Sequence, residues 1–75
     1  MQREPLPDPL PRVTTILVSQ ERRLAMLEGG RVVSVGDTIG LRVVASIEPR
    51  LVVLKEPSGV RVRIGLGGRL VGVDR

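Results

Sequence analysis

The sequence contains no cysteine, histidine, tryptophan, tyrosine or phenylalanine. Without cysteine, no disulfide can cross-link the chain and no thiolate can act as a nucleophile or metal ligand. Without histidine, the side chain that most often transfers protons near neutral pH is missing. The carboxylates form no cluster at the spacing of metal ligands. We therefore expect a protein that is not an enzyme and that uses no metal or cofactor.

The lack of aromatic residues also weakens a nucleic-acid function, although the chain is basic. Twelve Lys and Arg residues outnumber eight Asp and Glu residues, and Lys55 is the one lysine among the twelve. Proteins that read single-stranded nucleic acids stack the bases on aromatic side chains, which this chain cannot do. The alternative that stays open is a cytoplasmic small β-barrel that binds nucleic acid through a basic face. The residues predicted for that face are Arg42, Lys55, Arg61 and Arg63.

Proline is concentrated at one end of the chain. Four of the six prolines lie within residues 1–12, at alternate positions. Such spacing prevents helix formation and favours an extended polyproline conformation. We predict an extended linker over residues 1–12 and a single domain over residues 13–73. A domain this small buries only about 60% of its unfolded surface, so self-association is one expected way to stabilise it.

The rest of the chain has the pattern of short strands separated by turns. Residues 41–47 alternate, with Leu41, Val43, Ala45 and Ile47 assigned to one face. Residues 51–54 are apolar at every position, which predicts a central strand covered on both faces. The pattern predicts an all-β fold, a small sandwich or barrel of six to seven short antiparallel strands. The predicted strands are 13–19, 23–28, 31–35, 41–47, 51–56, 60–66 and, at the edge, 70–73.

The turn at Gly36–Asp37 separates the first group of strands from the second. Glycine can adopt a positive φ, and an aspartate side chain can accept a hydrogen bond from a backbone N–H two residues further on. We therefore assign Gly36 and Asp37 a structural role, and we interpret Asp37 as a turn former rather than a catalytic acid. A second hairpin is predicted at Gly29–Gly30, as a two-residue loop.

The first strand follows the proline-rich segment and is predicted to lie at a sheet edge. An edge strand presents unpaired backbone N–H and C=O groups, and it either needs protection or accepts another strand. The residues therefore indicate protein binding, by strand addition or through a sheet face.

The order of these features resembles a known family. A proline-rich linker ending in Asp8-Pro-Leu-Pro-Arg12 precedes a strand, and Arg22-Arg-Leu-Ala-Met-Leu27 and a glycine hairpin follow it. Val33-Ser-Val-Gly-Asp37 comes next, before two further hairpins that contain Leu51-Val-Val-Leu54 and Val60-Arg-Val-Arg-Ile64. This order is similar to the small periplasmic β-domain of pilus and type II secretion assembly proteins, which includes the PilP, GspC, GspB and MshK types. In size and linker it most resembles the MshK type.

The resemblance implies two three-stranded antiparallel sheets packed as a sandwich. It also implies a non-enzymatic periplasmic adaptor at the inner membrane, whose partners are the N-terminal domain of the secretin or the inner-membrane platform proteins. No apolar run reaches the roughly 20 residues that span a bilayer, so we expect membrane association only through an anchor outside this sequence. The positions that the resemblance assigns to the partner surface are Thr15, Ile16, Leu17, Val18, Arg22 and Arg23.

Overall fold

The computed structural model describes residues 10–74, which form eight strands in two antiparallel sheets and no helix. Sheet A has the order β1-β2-β3, and sheet B has the order β4-β5-β6-β7-β8. The strands are β1 (Val13–Val18), β2 (Arg23–Leu27), β3 (Val32–Ser34), β4 (Thr38–Ile39), β5 (Arg42–Glu48), β6 (Leu51–Lys55), β7 (Arg61–Gly65) and β8 (Leu70–Asp74).

The two sheets enclose one aliphatic core. Side chains from both sheets fill it, because alternate residues of each strand point inward. A parallel bridge between Val13 and Leu66 joins the start of β1 to the end of β7. The buried core residues are Val13, Ala25, Leu27 and Val33 from sheet A, and Val44, Ile47, Val52, Leu54, Val62 and Ile64 from sheet B.

The all-β, sandwich-like fold that the sequence predicts is confirmed, and the number of strands is larger than predicted. Sheet B has five strands rather than three, because β4 and β8 extend it at its two edges. The two-residue strand β4 escapes prediction because two residues are too few to show a period. The hairpin after β2 is also one residue longer than predicted, since the N–H of Leu27 bonds the carbonyl of Arg31 around residues 28–30.

The side chain of Asp37 stabilises the turn at Gly36–Asp37 by a hydrogen bond within the turn. Gly36 has a φ of 96°, and the N–H of Asp37 donates to the carbonyl of Ser34 at 3.0 Å. Oδ2 of Asp37 accepts from the backbone N–H of Ser34 at 2.9 Å. The carboxylate thus bonds a residue three positions earlier, not two positions later as we expected. Val44 then exchanges backbone hydrogen bonds with both turn residues, which fixes β5 beside the turn.

A β-bulge in β5 corrects the predicted face of its first half. The register of β5 against β6 shifts between Val44 and Ser46, so that Ala45 is an extra residue. Ile47 faces the core, but Arg42 and Val44 also face inward, while Leu41 and Val43, predicted to share the face of Ile47, are exposed. An extra residue inverts the alternation on one side of itself. The prediction of strict alternation across 41–47 is therefore wrong for residues 41–44, which precede the bulge.

The strand β6 is central in sheet B, as its apolar composition predicts. Val52 and Leu54 face the core, and Val53 is buried on the opposite face. Val53 lies between Ser46 and Arg63 in the register. The aliphatic part of a neighbouring arginine can cover such a side chain while its charge stays in water.

Most of the predicted linker lies outside the described residues, which begin at Leu10. Leu10 packs against the core. The carbonyl of Arg12 accepts a hydrogen bond from the N–H of Glu28 at 2.8 Å. The last residues of the predicted linker therefore belong to the packed body of the protein.

Candidate partner-binding surface on sheet A

The strand β1 is an edge strand of sheet A. It pairs with β2 on one side and forms the end of the sheet on the other. Its start is tied to the rest of the molecule by the bridge from Val13 to Leu66 and by a hydrogen bond from the N–H of Gly67 to the carbonyl of Val13. Beyond a bulge after Val13, the strand runs along the edge as far as Val18. This stretch is available for pairing with an added strand.

The outer face of sheet A is apolar although it faces solvent. Leu17 lies opposite Leu24, and Met26 lies opposite Val32, so these four side chains form two adjacent rows across the sheet. Leu17 is 60% exposed and Val32 is 50% exposed. None of the side chains on this face is charged: Thr15, Leu17, Leu24, Met26, Val32 and Ser34.

Two grooves border this face at the end where β1 turns into β2. The first, of about 330 Å³, is lined by Leu17, Val18, Ser19, Arg22 and Leu24. The second, of about 570 Å³, shares Ser19, Arg22 and Leu24 with the first and reaches Ser34 and Val35. The hairpin itself is held by a backbone hydrogen bond from Ser19 to Arg22, and Arg22 in turn donates its N–H to Oγ of Ser19. The apolar face therefore continues into two concave surfaces.

The structure separates the six predicted partner-binding residues into different environments. Thr15 and Leu17 lie on the outer face, and Arg22 is exposed in the hairpin beside it. Ile16 lies opposite the buried Ala25 and packs against the core. Alternation along a strand allows only every second residue to reach one face. The outer face thus includes half of the four predicted positions in β1.

Val18 and Arg23 lie opposite each other at the end of the sheet and on its inner side. A guanidinium nitrogen of Arg23 donates to the carbonyl of Ile47 in β5 at 2.9 Å. This hydrogen bond connects the two sheets. Arg23 therefore has an intramolecular contact that a partner would have to replace, whereas the side chain of Arg22 is exposed to solvent.

Our sequence reasoning missed three residues of the outer face: Leu24, Met26 and Val32. The signal was present, because residues 24–27 are apolar at every position, as residues 51–54 are. For 51–54 we inferred a strand covered on both faces. The same inference applied to 24–27 predicts a covering partner, since Met26 is 39% exposed on the outer face.

The predicted basic face of sheet B loses one of its four members. Arg42 is 5% exposed and faces the core, because the bulge in β5 turns it inward. Lys55 lies directly opposite Arg61, and both are exposed. Arg63 is on the same face and borders a small concavity of about 200 Å³ that also includes Glu48. The exposed cations of this face are thus Lys55, Arg61 and Arg63.

Other kinds of site find no support in residues 10–74. This part of the chain contains no group of three or more His, Cys, Asp or Glu residues that could hold a metal ion. It also contains no helix long and apolar enough to cross a membrane.

Comparisons with family models, with curated proteins and with solved structures gave no match to this chain.

Proposed function

We propose that this chain is a non-enzymatic adaptor domain that binds other proteins through the outer face of sheet A and the edge of β1. The observation that carries the proposal is the row arrangement of Leu17, Leu24, Met26 and Val32 on a sheet face without a charged side chain among residues 10–74. Leu17, Met26 and Val32 are exposed there, and Leu24 is half-buried. Exposed apolar patches of this kind mark interaction sites on soluble proteins. A partner that covers this face removes the apolar side chains from water, which favours association.

The setting that we propose for this adaptor is a type IV pilus or type II secretion assembly in the periplasm, associated with the inner membrane. The resemblance of residues 8–66 to the β-domains of those assemblies supports it, and so does the position of β1 at a free edge. The proposed partners are the secretin N-terminal domain and the inner-membrane platform proteins. The sheet face supplies apolar area, and the edge supplies backbone groups that fix the register of an added strand.

Titration of the labelled chain with a purified secretin N-terminal domain tests this function. We expect saturable binding that weakens at least tenfold in Val32→Glu, because a carboxylate on the apolar face must be desolvated when the partner covers it. Val43→Glu is the matched control, since Val43 is also an exposed strand valine but lies in sheet B.

No binding at high micromolar concentration, or an equal loss in Val32→Glu and Val43→Glu, contradicts the proposal. The first outcome removes the secretin as partner. Repeating the titration with the periplasmic part of a platform protein then decides whether the adaptor function itself is wrong.

The alternative function is nucleic-acid binding through Lys55, Arg61 and Arg63. The observation in its favour is that Lys55 and Arg61 are opposed across neighbouring strands of an exposed face, where an anion could contact both. Binding of this kind weakens steeply as salt concentration rises, since phosphate contacts release counterions. Salt-independent or undetectable binding of RNA and DNA rules it out.

A further inference from the structure

The hydrogen bonds of the β1–β2 hairpin show which backbone groups of β1 face the free edge of sheet A. The N–H of Ser19 donates to the carbonyl of Arg22 at 2.8 Å, so these two residues form a hydrogen-bonded pair. Hydrogen-bonded and non-hydrogen-bonded pairs alternate along an antiparallel ladder. Leu17 is therefore bonded to β2, whereas the N–H and C=O groups of Ile16 and Val18 point away from β2 toward the edge.

A contact at the start of β1 limits the length of this open edge. The carbonyl of Val13 faces the same edge and accepts a hydrogen bond from the N–H of Gly67 at 2.7 Å. Leu66 forms a parallel bridge with Val13. Beyond this point, no strand within residues 10–74 pairs with the edge. An added segment therefore meets Leu66 and Gly67 at one end, and the stretch that it can pair with is 15–19.

The groups at this edge match the backbone of an extended polypeptide. Ile16 and Val18 each present one donor and one acceptor, and in antiparallel pairing a single opposing residue bonds both. Parallel pairing is slightly less stable, and the strands of sheet A are antiparallel to each other. An added antiparallel strand therefore uses the donor and the acceptor of both residues.

The side chains of the outer face determine which residues such a strand would carry. Leu17 and Ser19 lie on this face, since they alternate with Ile16 and Val18 along β1. Leu17 forms an apolar row with Leu24 on the neighbouring strand. An aliphatic side chain opposite Leu17 extends this row by one strand.

Arg22 provides a positive charge at the hairpin end of the same face. Its side chain is exposed, and it lines the groove of about 330 Å³ together with Ser19. Because serine is short, the arginine side chain can extend across Ser19 to the residue of an added strand. Of the other charged residues of the hairpin, Glu21 lies in the turn and Arg23 is bonded to the carbonyl of Ile47. An acidic residue opposite Ser19 is therefore the electrostatic complement of Arg22.

We propose that β1 accepts an antiparallel segment of a partner protein that pairs with residues 15–19 and carries an acidic residue opposite Ser19 and an aliphatic residue opposite Leu17. From the N-terminus of the segment, the acidic residue comes first, then one residue of any type, then the aliphatic residue. This inference rests on the proposed function, since it specifies which part of a partner enters the sheet.

Two synthetic peptides test this edge directly. Acetyl-Glu-Thr-Leu-Thr-Val-amide has the proposed order, and acetyl-Val-Thr-Leu-Thr-Glu-amide has the same composition in reverse order. We expect saturable binding of the first peptide to the full chain at millimolar concentration, measured by nuclear magnetic resonance, with the largest amide shifts at Ile16 and Val18. The reversed peptide should bind about two- to fivefold more weakly, which is the range of one exposed ion pair.

Backbone N-methylation separates strand addition from binding elsewhere on the molecule. Chemical synthesis of the chain with N-methyl-Val18 removes an N–H that faces the edge and leaves all side chains in place. We expect binding of the first peptide to weaken about tenfold, since a hydrogen bond is lost and the methyl group obstructs the added strand.

N-methyl-Val32 is the matched control for this measurement. The N–H of Leu27 bonds the carbonyl of Arg31, so the next pair, Met26 with Val32, is a non-hydrogen-bonded one. The N–H of Val32 therefore faces the opposite edge of sheet A, and its methylation should leave peptide binding unchanged. Circular dichroism of both methylated chains checks that the fold is retained.

Reversing the charge of Arg22 gives a second measurement with an unmodified backbone. Arg22→Glu should weaken binding of the first peptide about two- to fivefold, and a peptide with lysine in place of its glutamate should bind this variant as well as the original pair binds. Insensitivity to this change overturns the acidic position in the proposed segment.

The absence of saturable binding by either peptide overturns the proposal as a whole. Equal weakening in the two methylated chains does the same, and so does tighter binding of the reversed peptide, which a parallel orientation would give. These outcomes leave the adaptor function standing, because the secretin titration with Val32→Glu tests the outer face itself. Peptide binding as expected without binding of a secretin or platform domain rejects the proposed partners and retains the edge site.

Discussion

Nε of Arg42 lies 2.5 Å from Oε2 of Glu56, in an ion pair whose arginine side chain is 6% exposed and whose glutamate side chain is 25% exposed. The two residues are fourteen positions apart in the chain. Arg42 begins β5, and Glu56 follows β6, so the pairing of these neighbouring strands brings them together. The pair lines an apolar groove beside β8.

Breaking this pair from one side should destabilise the fold. Glu56→Gln removes the carboxylate that pairs with the largely buried guanidinium of Arg42, and loss of one partner of a buried pair costs about 3–5 kcal/mol. Because Glu56 is partly exposed, we expect the lower part of that range in urea unfolding followed by circular dichroism. The double variant Arg42→Met with Glu56→Leu removes both charges and should recover most of the loss. A double variant as unstable as Glu56→Gln would show that the ion pair itself is not the cause.

The carboxylate of Asp37 should contribute measurably to stability. Asp37→Ala removes the acceptor for the N–H and hydroxyl of Ser34, and we expect a loss of about 0.5–2 kcal/mol, by analogy with side-chain caps of helices. Asp37→Asn keeps an acceptor oxygen and should lose less stability than Asp37→Ala. Partner binding through β1 should be unchanged in both variants. Equal stability of Asp37→Ala and the unmodified chain in chemical denaturation would refute the role of this turn.

Replacing Gly36 with any L-amino acid should lower the free energy of unfolding. Its φ is 96°, and a Cβ added there would meet no atom within 4 Å, so the cost is backbone strain alone. We expect Gly36→Ala to lower the unfolding free energy by about 1–2 kcal/mol, the usual cost of a left-handed conformation for an L-residue. D-alanine, introduced by chemical synthesis of this short chain, favours positive φ and should retain the stability. If L- and D-alanine destabilise equally, strain is not the reason.

The positive charge of Lys55 should lower the stability of the folded state, because Lys55 lies directly opposite Arg61. Like charges opposed across a strand pair are unfavourable, and opposite charges contribute roughly 0.2–1 kcal/mol. Lys55→Glu should therefore raise the midpoint of thermal unfolding at low salt, and the gain should shrink as salt screens the charges. Arg50→Glu changes the net charge equally at an exposed turn and serves as the control. A gain of the same size in Arg50→Glu would assign the effect to net charge.

The all-β class, most of the turns and the central position of β6 could be predicted from the amino-acid sequence alone. These are local properties, because strand period, glycine and proline positions, and apolar runs depend on near neighbours in the chain. The edge position of the first strand also followed, from the proline-rich segment before it. The structural role of Gly36 and Asp37 could be read from the residue types alone, although the bonding direction of Asp37 could not.

The faces of β5 and β8, in contrast, depend on how the strands pair in the folded protein. Each contains one bulged residue, Ala45 or Val71, which inverts the alternation that a sequence pattern relies on. A bulge depends on the strand opposite, so its position is not encoded in the local period. The same limit explains why Arg42 was assigned to a solvent face and is instead buried beside Glu56. It also explains why the outer face of sheet A, which needs three strands in register to become one apolar surface, emerged only from the assembled sheet.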